Sequence, residues 1–321
     1  TKTNDHVIMR EIRTRPGDLF KRSDIMRSQR ELSQMAFFDP EAFDVKVEPD
    51  PARNQVDITY VLAEKSSSQI QLQGGWGANR IVGSLNLVFD NFSTQNILNG
   101  KSWSPLPSGD GQRLSLSASS NGAYYQNYNI SFTEPWLGGK KPNALTVSVY
   151  RSVSSNGQEG DYREAIEILG LSVGLGKRLK NPDDYFTIYN GINFQQYKLI
   201  NSQSFFTFKD GFSSNINYNI RLGRNSVDQL IFPRRGSNFS LGLKITPPYS
   251  IFDGLDDYSL ISDQEKYKYI EYYKWKYKSS WYSAFTDKLV LATKIEMGLL
   301  GAYNKNLGIA PFERFYVGGD G

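Results

Sequence analysis

The chain has 321 residues, a net charge of +4, no cysteine and a single histidine, His6. That composition excludes disulfide frameworks, thiol chemistry and three-histidine zinc sites, and the mild, scattered charge gives no basic cluster for nucleic acid. Aromatic residues reach 14%, with 20 Tyr, 19 Phe and 5 Trp, while mean hydropathy is negative. No stretch approaches the roughly 18 to 20 continuous apolar residues of a membrane-spanning helix. A transmembrane barrel escapes that test, because only alternate residues of its strands face lipid.

Residues 1–65 read as an αα-ββ module. Thr3 or Asn4 caps a short helix through Ile12 with Val7, Ile8 and Ile12 inward, and Ser23 caps a second from Asp24 to Met35. Alternating strands follow at Phe43–Val47 and Gln55–Leu62. Such a unit lacks only a leading strand to be a small βααββ domain, and the first residues read as the inside of a domain rather than as a signal peptide. His6 reads as a solvated helix residue.

From residue 66 the helical period disappears, and eleven extended segments succeed one another. The first eight are Ser68–Trp76, Ile81–Phe89, Arg113–Ser119, Tyr125–Thr133, Ala144–Val153, Glu167–Lys177, Phe186–Tyr197 and Ser213–Arg224. The ninth follows the Phe232-Pro-Arg-Arg-Gly-Ser237 turn and sets Phe239, Leu241, Leu243 and Ile245 against Ser240, Gly242, Lys244 and Thr246. Tyr267–Tyr282 places Tyr273, Trp275 and Tyr277 opposite Lys274, Lys276 and Lys278. Lys288–Tyr303 places Leu289, Leu291, Ile295, Met297 and Leu299 opposite Lys294 and Glu296. A soluble sandwich also alternates, but its outer face seldom sets three lysines against a row of Tyr and Trp. Consecutive strictly alternating segments of about ten residues predict an up-and-down antiparallel transmembrane β-barrel.

Joins after even strands are mostly compact turns, among them Glu134-Pro135-Trp136 to Pro142, Lys180–Asp184 and Phe232-Pro233-Arg234-Arg235-Gly236. The join from Asn91 to Gly111 breaks the rule by its length and reads as an insertion at the periplasmic edge. Glu134 either organises a hydrogen-bond network at this rim or faces solvent. Arg234 and Arg235 either meet carboxylates or lipid head groups or lie in a solvated turn. An odd strand count cannot close a bacterial barrel with its ends on one side, and an open edge in hydrocarbon costs several kcal/mol per unpaired backbone group. The expectation is therefore a fragment, 1–65 a separate domain and 66–321 the first part of a barrel.

These features resemble the Omp85 superfamily. The amino-terminal module, with Arg15-Pro-Gly-Asp-Leu-Phe20 and Leu32-Ser-Gln-Met-Ala-Phe-Phe38, resembles a POTRA domain, the last before the barrel. Phe132-Thr-Glu-Pro-Trp136, Phe232-Pro-Arg-Arg-Gly-Ser237 and Phe315-Tyr316-Val-Gly318-Gly319 match the family's turns in type and order. The resemblance implies eleven strands of a sixteen-strand barrel in the bacterial outer membrane, the POTRA domain in the periplasm, and the stretch from Phe315 as the start of a sixth extracellular loop. It implies assembly and insertion of outer-membrane proteins, or in the alternative an Omp85-type polypeptide secretion pore, with unfolded client proteins, accessory lipoproteins and outer-membrane lipids as partners. It implies no enzyme activity and no cofactor, and no catalytic or metal set can be assembled from the residues. Client strands would enter at a weak seam formed by Gln69, Ile70, Gln71, Leu72, Gln73, Gly74 and Gly75, although the glycines could equally serve a tight first hairpin. Lys274, Lys276, Lys278, Lys294 and Glu296 would line the lumen, where Glu296, Asp183 or another acid would meet the sixth loop's arginine.

Overall fold

The computed structural model describes residues 2–66, 68–77, 80–103, 105–202, 208–228, 232–252, 254, 258, 260–286 and 288–315. The chain forms two compact units, one of residues 1–73, 84–117 and 130–141, the other of residues 74–83, 118–129 and 142–321.

The first unit opens with α1 (Asp5–Met9) and α2 (Arg22–Ser33), followed by the hairpin of β1 (Asp44–Asp50) and β2 (Gln55–Val61). Its core gathers Val7, Phe37 and Phe38 with Ile8, Met35 and Leu62. The expected run of α1 to Ile12 is not observed. The helix stops at Met9, and the Arg13 N–H instead donates to Ser28 Oγ on α2 at 2.8 Å, which draws the chain off the helix axis. Nor is Ser23 the cap of α2. The helix begins at Arg22 behind an extended Lys21, so Ser23 lies inside its first turn.

The remaining strands are β3 (Ser68–Gly77), β4 (Arg80–Phe92), β5 (Gln112–Ser120), β6 (Tyr125–Glu134), β7 (Asn143–Ser155), β8 (Ala165–Arg178), β9 (Phe186–Ile200), β10 (Gly211–Asn225), β11 (Gly236–Ile245), β12 (Tyr273–Ala284) and β13 (Val290–Gly301). They form one eleven-stranded sheet in sequence order, with β3 and β13 at its two edges. The eleven expected strands are all present, and the barrel is not closed within this chain.

Register across β7 to β13 sorts the side chains by face. One row runs Leu145, Leu175, Asn190, Ile220, Leu243, Trp275 and Leu299, and the next Val147, Val173, Ile192, Tyr218, Ile245, Tyr273 and Gly301. These apolar rows are open to the surroundings; Ile192 is 60% and Leu299 58% exposed. The opposite face carries Asn215, Asn217 and Asn219, and these amides are buried. A large aliphatic side chain left in water forgoes roughly 1.5–3 kcal/mol, so rows of this length would outweigh the about 5–15 kcal/mol net stability of an ordinary domain. Such a sheet folds only with an apolar phase against its outer face. This is a transmembrane sheet, greasy outside and polar inside.

Side-chain hydrogen bonds tie neighbouring strands together on the inner face. Ser148 Oγ and Ser172 Oγ lie 2.6 Å apart, Asn193 donates to Asn217 at 2.9 Å, and Asn217 donates to Asn215 at 3.2 Å. The β8 glycines serve this face. A Cβ at Gly170 would overlap the Tyr150 ring.

One strand is shorter than its alternation suggests. Residues 267–272 continue the period of β12 but do not belong to it. Pro247 and Pro248 end β11 by removing backbone donors, and the ladder of β10 with β11 stops at the Tyr218–Ile245 pair. Residues 268–270 take over the vacated edge, forming a parallel bridge between Ser214 and Tyr269. Ser214 N donates to Lys268 O at 2.8 Å, and Ile270 N to Ser214 O at 2.9 Å.

Candidate functional site

Three places gather the residues singled out in the sequence, each within one compact unit. The first is the turn-side rim of β4 to β6. The long Asn91–Gly111 join is here an anchor for the amino-terminal module. Asn4 N donates to Gly109 O at 2.9 Å and Asn4 Nδ2 to Asp110 Oδ1 at 2.8 Å. Asn91 Nδ2 donates to Thr3 Oγ1 at 2.9 Å, while Asn91 Oδ1 accepts from Gly111 N at 2.9 Å. Asp110 is 4% exposed and also accepts from Ser93 Oγ. Only glycine fits position 111. Its φ is +67°, and a Cβ there would lie 2.9 Å from Val7 Cγ1.

Glu134 belongs to this network. Its Oε2 accepts from Gln112 Nε2 at 2.7 Å and its Oε1 from the Trp136 N–H at 2.9 Å, which closes the turn through Pro135. The Trp136 indole N–H donates to Glu11, and the Arg10 guanidinium lies 5.7 Å from the Trp136 ring centroid. His6 stays largely exposed, 3.9 Å from Asp110. Sequence reading gave Asn4 only as a helix cap and Asn91 only as the start of the long join, and it missed Glu11 and Asp110, since nothing in their spacing joins positions 106 apart such as Asn4 and Asp110. The unusual length of the join was the only available signal.

The second place is the turn between β10 and β11. Phe232 is 86% exposed with φ +53°, and Gly236 has φ +103°. A Cβ on Gly236 would overlap the Ser226 carbonyl oxygen. Past Pro233, the Arg234 and Arg235 N–H groups both donate to Asp228 Oδ1, at 3.0 and 3.1 Å, and Arg234 Nη2 reaches Thr286 O at 3.1 Å. Asp183 lies at this rim too, held 2.9 Å from Arg224.

The third place is the inner face of β9, β10 and β12. Lys274 Nζ donates to Glu313 O at 2.8 Å and to Glu313 Oε2 at 3.1 Å, and it sits 4.5 Å from the Phe315 ring centroid. Asn215 Nδ2 donates to Glu313 Oε1 at 3.2 Å. Tyr197, Ile270, Tyr272 and Ala310 pack beside this pair with Phe312. Gly298 makes room for the Phe315 ring, 2.6 Å from where a Cβ would stand. Lys278 pairs with Glu296 at 2.8 Å, and Lys276 and Lys294 share that face by register. Tyr316, Gly318 and Gly319 lie outside the described residues. Glu313 and Tyr272 were not singled out in the sequence, because their partners lie 98 and 57 positions from them through Asn215.

The edge strand β3 behaves differently. Gln69 to Trp76 are all exposed, with Ile70 at 68% and Leu72 at 78%. Gln71 and Gln73 reach Asn86 and Ser84 on β4 only at 3.5 Å, the outer limit of a useful hydrogen bond. Gly74 and Gly75 lie within the strand. A Cβ at Gly75 would meet nothing within 4 Å, so the fold does not require glycine there.

A family model described as the Omp85 superfamily domain matches residues 108–321, and the POTRA model described as a surface antigen variable number repeat matches residues 1–65. The outer membrane protein assembly factor BamA of Neisseria meningitidis serogroup B (strain ATCC BAA-335 / MC58) is 24% identical over 344 residues, covering 100% of this chain and 38% of that protein. A putative outer membrane protein assembly factor of Treponema pallidum (strain Nichols) is 28% identical over 146 residues, covering 45% of this chain and 16% of that protein. The crystal structure of BamA from Haemophilus ducreyi lacking POTRA domains 1-3 superposes with a TM-score of 0.60 at 21% identity, covering 99% of this chain and 56% of that one. CdiB from Escherichia coli superposes with a TM-score of 0.58 at 12% identity, covering 94% of this chain and 52% of that one. The chain thus spans about half or less of each of these relatives, and the solved structures share its fold.

Proposed function

The chain belongs to the Omp85 superfamily, and from that membership we propose that it takes part in assembling and inserting β-barrel proteins into the bacterial outer membrane. In this reading residues 1–65 form a POTRA domain that docks incoming chains on the periplasmic side, and residues 66–321 form the opening part of the barrel. Unfolded outer-membrane proteins are the clients, accessory lipoproteins the partners, and outer-membrane lipids the solvent. Lys274, Lys276, Lys278, Lys294 and Glu296 line the lumen, and the stretch from Phe315 begins the loop that enters it.

The observation that carries the proposal is the weakness of β3. An edge strand with an open backbone accepts a further strand by β-augmentation. Gln69 to Gly75 are exposed, their side-chain bonds to β4 are marginal, and Gly75 stands in open space where the local geometry does not demand glycine. A strand so lightly held exchanges partners at low cost.

The test is a lock. A cysteine at Gln71, paired with one on the last strand of the intact protein, closes the seam when oxidised in proteoliposomes. Client insertion should stop on oxidation and resume on reduction. Insertion that continues through a closed seam defeats the proposal. If the locked protein fails instead to move a soluble passenger across the bilayer while insertion is unaffected, the translocation-pore alternative holds.

A further inference from the structure

Beyond the apolar rows, the outer face of β7 to β9 changes character. Arg151 stands opposite Leu169, and Glu167 stands opposite both Val153 on β7 and Lys198 on β9. Arg163, in the join after β7, reaches back over the same strip. Its Nη2 lies 3.5 Å from Glu167 Oε1, and Arg151 Nη2 lies 3.3 Å from Glu167 Oε2. Lys198 is exposed and has no ion pair among the described residues. Next along the strip, Lys198 faces Phe212, which is 52% exposed. Ser214 bridges to Tyr269, whose ring stacks 5.1 Å from that of Tyr249.

Cations and aromatic rings just past an apolar band are the composition of a membrane–water interface. Glu167 lies two residues, or about 7 Å, along the strand from lipid-facing Leu169. Three cations against one carboxylate leave a local excess of two positive charges. Each guanidinium has five N–H donors in a fork that matches phosphate, so one bond to Glu167 leaves most of that capacity unspent. The join's own acids, Glu159, Asp161 and Glu164, form no ion pair with the three cations among the described residues. This strip belongs to the rim where β7 ends and β8 begins.

We infer that Arg151, Arg163 and Lys198 bind the phosphate of a lipid head group in the leaflet at that rim, where it competes with Glu167 for the two guanidiniums. The lipid's acyl chains would cross Val149, Leu171, Phe194 and Ile216, the apolar row adjoining that of Arg151 and Leu169. This goes beyond the assembly role and rests only on the sheet spanning a bilayer.

The test uses the full-length protein in phosphatidylcholine nanodiscs doped with either phosphatidic acid or neutral diacylglycerol, with retained lipid read by native mass spectrometry. A surface cation contributes roughly a fivefold factor in anionic-lipid binding. Arg151→Gln with Lys198→Gln should therefore cut phosphatidic acid retention by roughly 25-fold and leave diacylglycerol unchanged, while Arg151→Lys should largely keep it. Glu167→Gln separates this from a purely structural ion pair, because freeing both guanidiniums should raise retention. Unchanged retention in the double variant, or lowered retention in Glu167→Gln, overturns the inference. Displacement by inorganic phosphate alone overturns it in favour of a free-anion site. Failure of the unaltered protein to enter nanodiscs would take the transmembrane reading down with it.

Discussion

The Trp136 indole N–H donates to the Glu11 carboxylate across 125 positions of sequence. The contact ties the turn after β6 to the end of α1, beside the cation–π stacking of Arg10 on the same ring. A hydrogen bond to a charged group contributes about 1.5–3 kcal/mol. Trp136→Phe should therefore raise amide exchange in α1 roughly tenfold or more while leaving the exchange of β8 to β10 unaltered. Equal slowing or quickening in both regions would mean that Trp136 acts on the whole chain rather than on this dock.

Glu64 predicts a pH dependence for the same module. Desolvation pushes its carboxyl upward, but the backbone N–H bonds from Lys2 and Thr3 outweigh that and hold it below the ordinary value of 4.5. Those bonds are short, with Thr3 N at 2.7 Å from Oε1 and Lys2 N at 2.8 Å from Oε2. A lowered carboxylate stabilises the folded state above its unfolded pKa, and that contribution disappears as pH falls through the lower folded value. Protection of the Thr3 amide should be full near neutrality and disappear below the ordinary carboxylate range. Glu64→Gln should flatten the profile, and a profile that persists in that variant assigns the titration elsewhere.

Lys274 and Glu313 predict a stability effect on the inner face, where their side chains are 17% and 9% exposed. Removing one partner of a mostly buried pair leaves an uncompensated charge, at a cost of about 3 kcal/mol. Lys274→Met should lower the thermal midpoint of the folded barrel in detergent micelles. Adding Glu313→Gln should recover most of the loss, since the new amide oxygen still accepts from Asn215. A single variant that melts like the parent would show the pair to be energetically idle.

Gly236 sets the geometry of the turn into β11. At φ +103°, with the Ser226 carbonyl where a Cβ would go, alanine has no relaxed conformation. Gly236→Ala should reduce the heat-modifiable folded fraction on semi-native gels. Gly242→Ala, on the same strand with its nearest neighbour 3.8 Å away, should not. Equal yields from both would exclude steric strain at the turn.

The strands were legible because lipid and lumen impose opposite demands on alternate residues, as in the row from Leu169 to Leu175 against Gly170 to Gly176. Residues 267–272 kept that period without joining β12, because alternation records which face a residue covers and is silent about its neighbour. Pro247 and Pro248 were the signal that the ladder had to end. The dock of Asn4, Asn91 and Asp110 left no periodic trace. Its groups come from a helix cap, the end of β4 and irregular backbone, and long-range pairing of that kind has no signature in local sequence.

The inversion of polarity across β7 to β13 makes the surrounding lipid a reactant in folding. In water the rows headed by Leu145 and Val147 would drive collapse or association rather than this sheet, so the native state has no defined free energy apart from a surrounding phase of lipid or detergent. Stability measured for this chain is therefore a joint property of polypeptide and membrane. Thinning or thickening the hydrocarbon layer should shift it as directly as a mutation in an aqueous protein's interior.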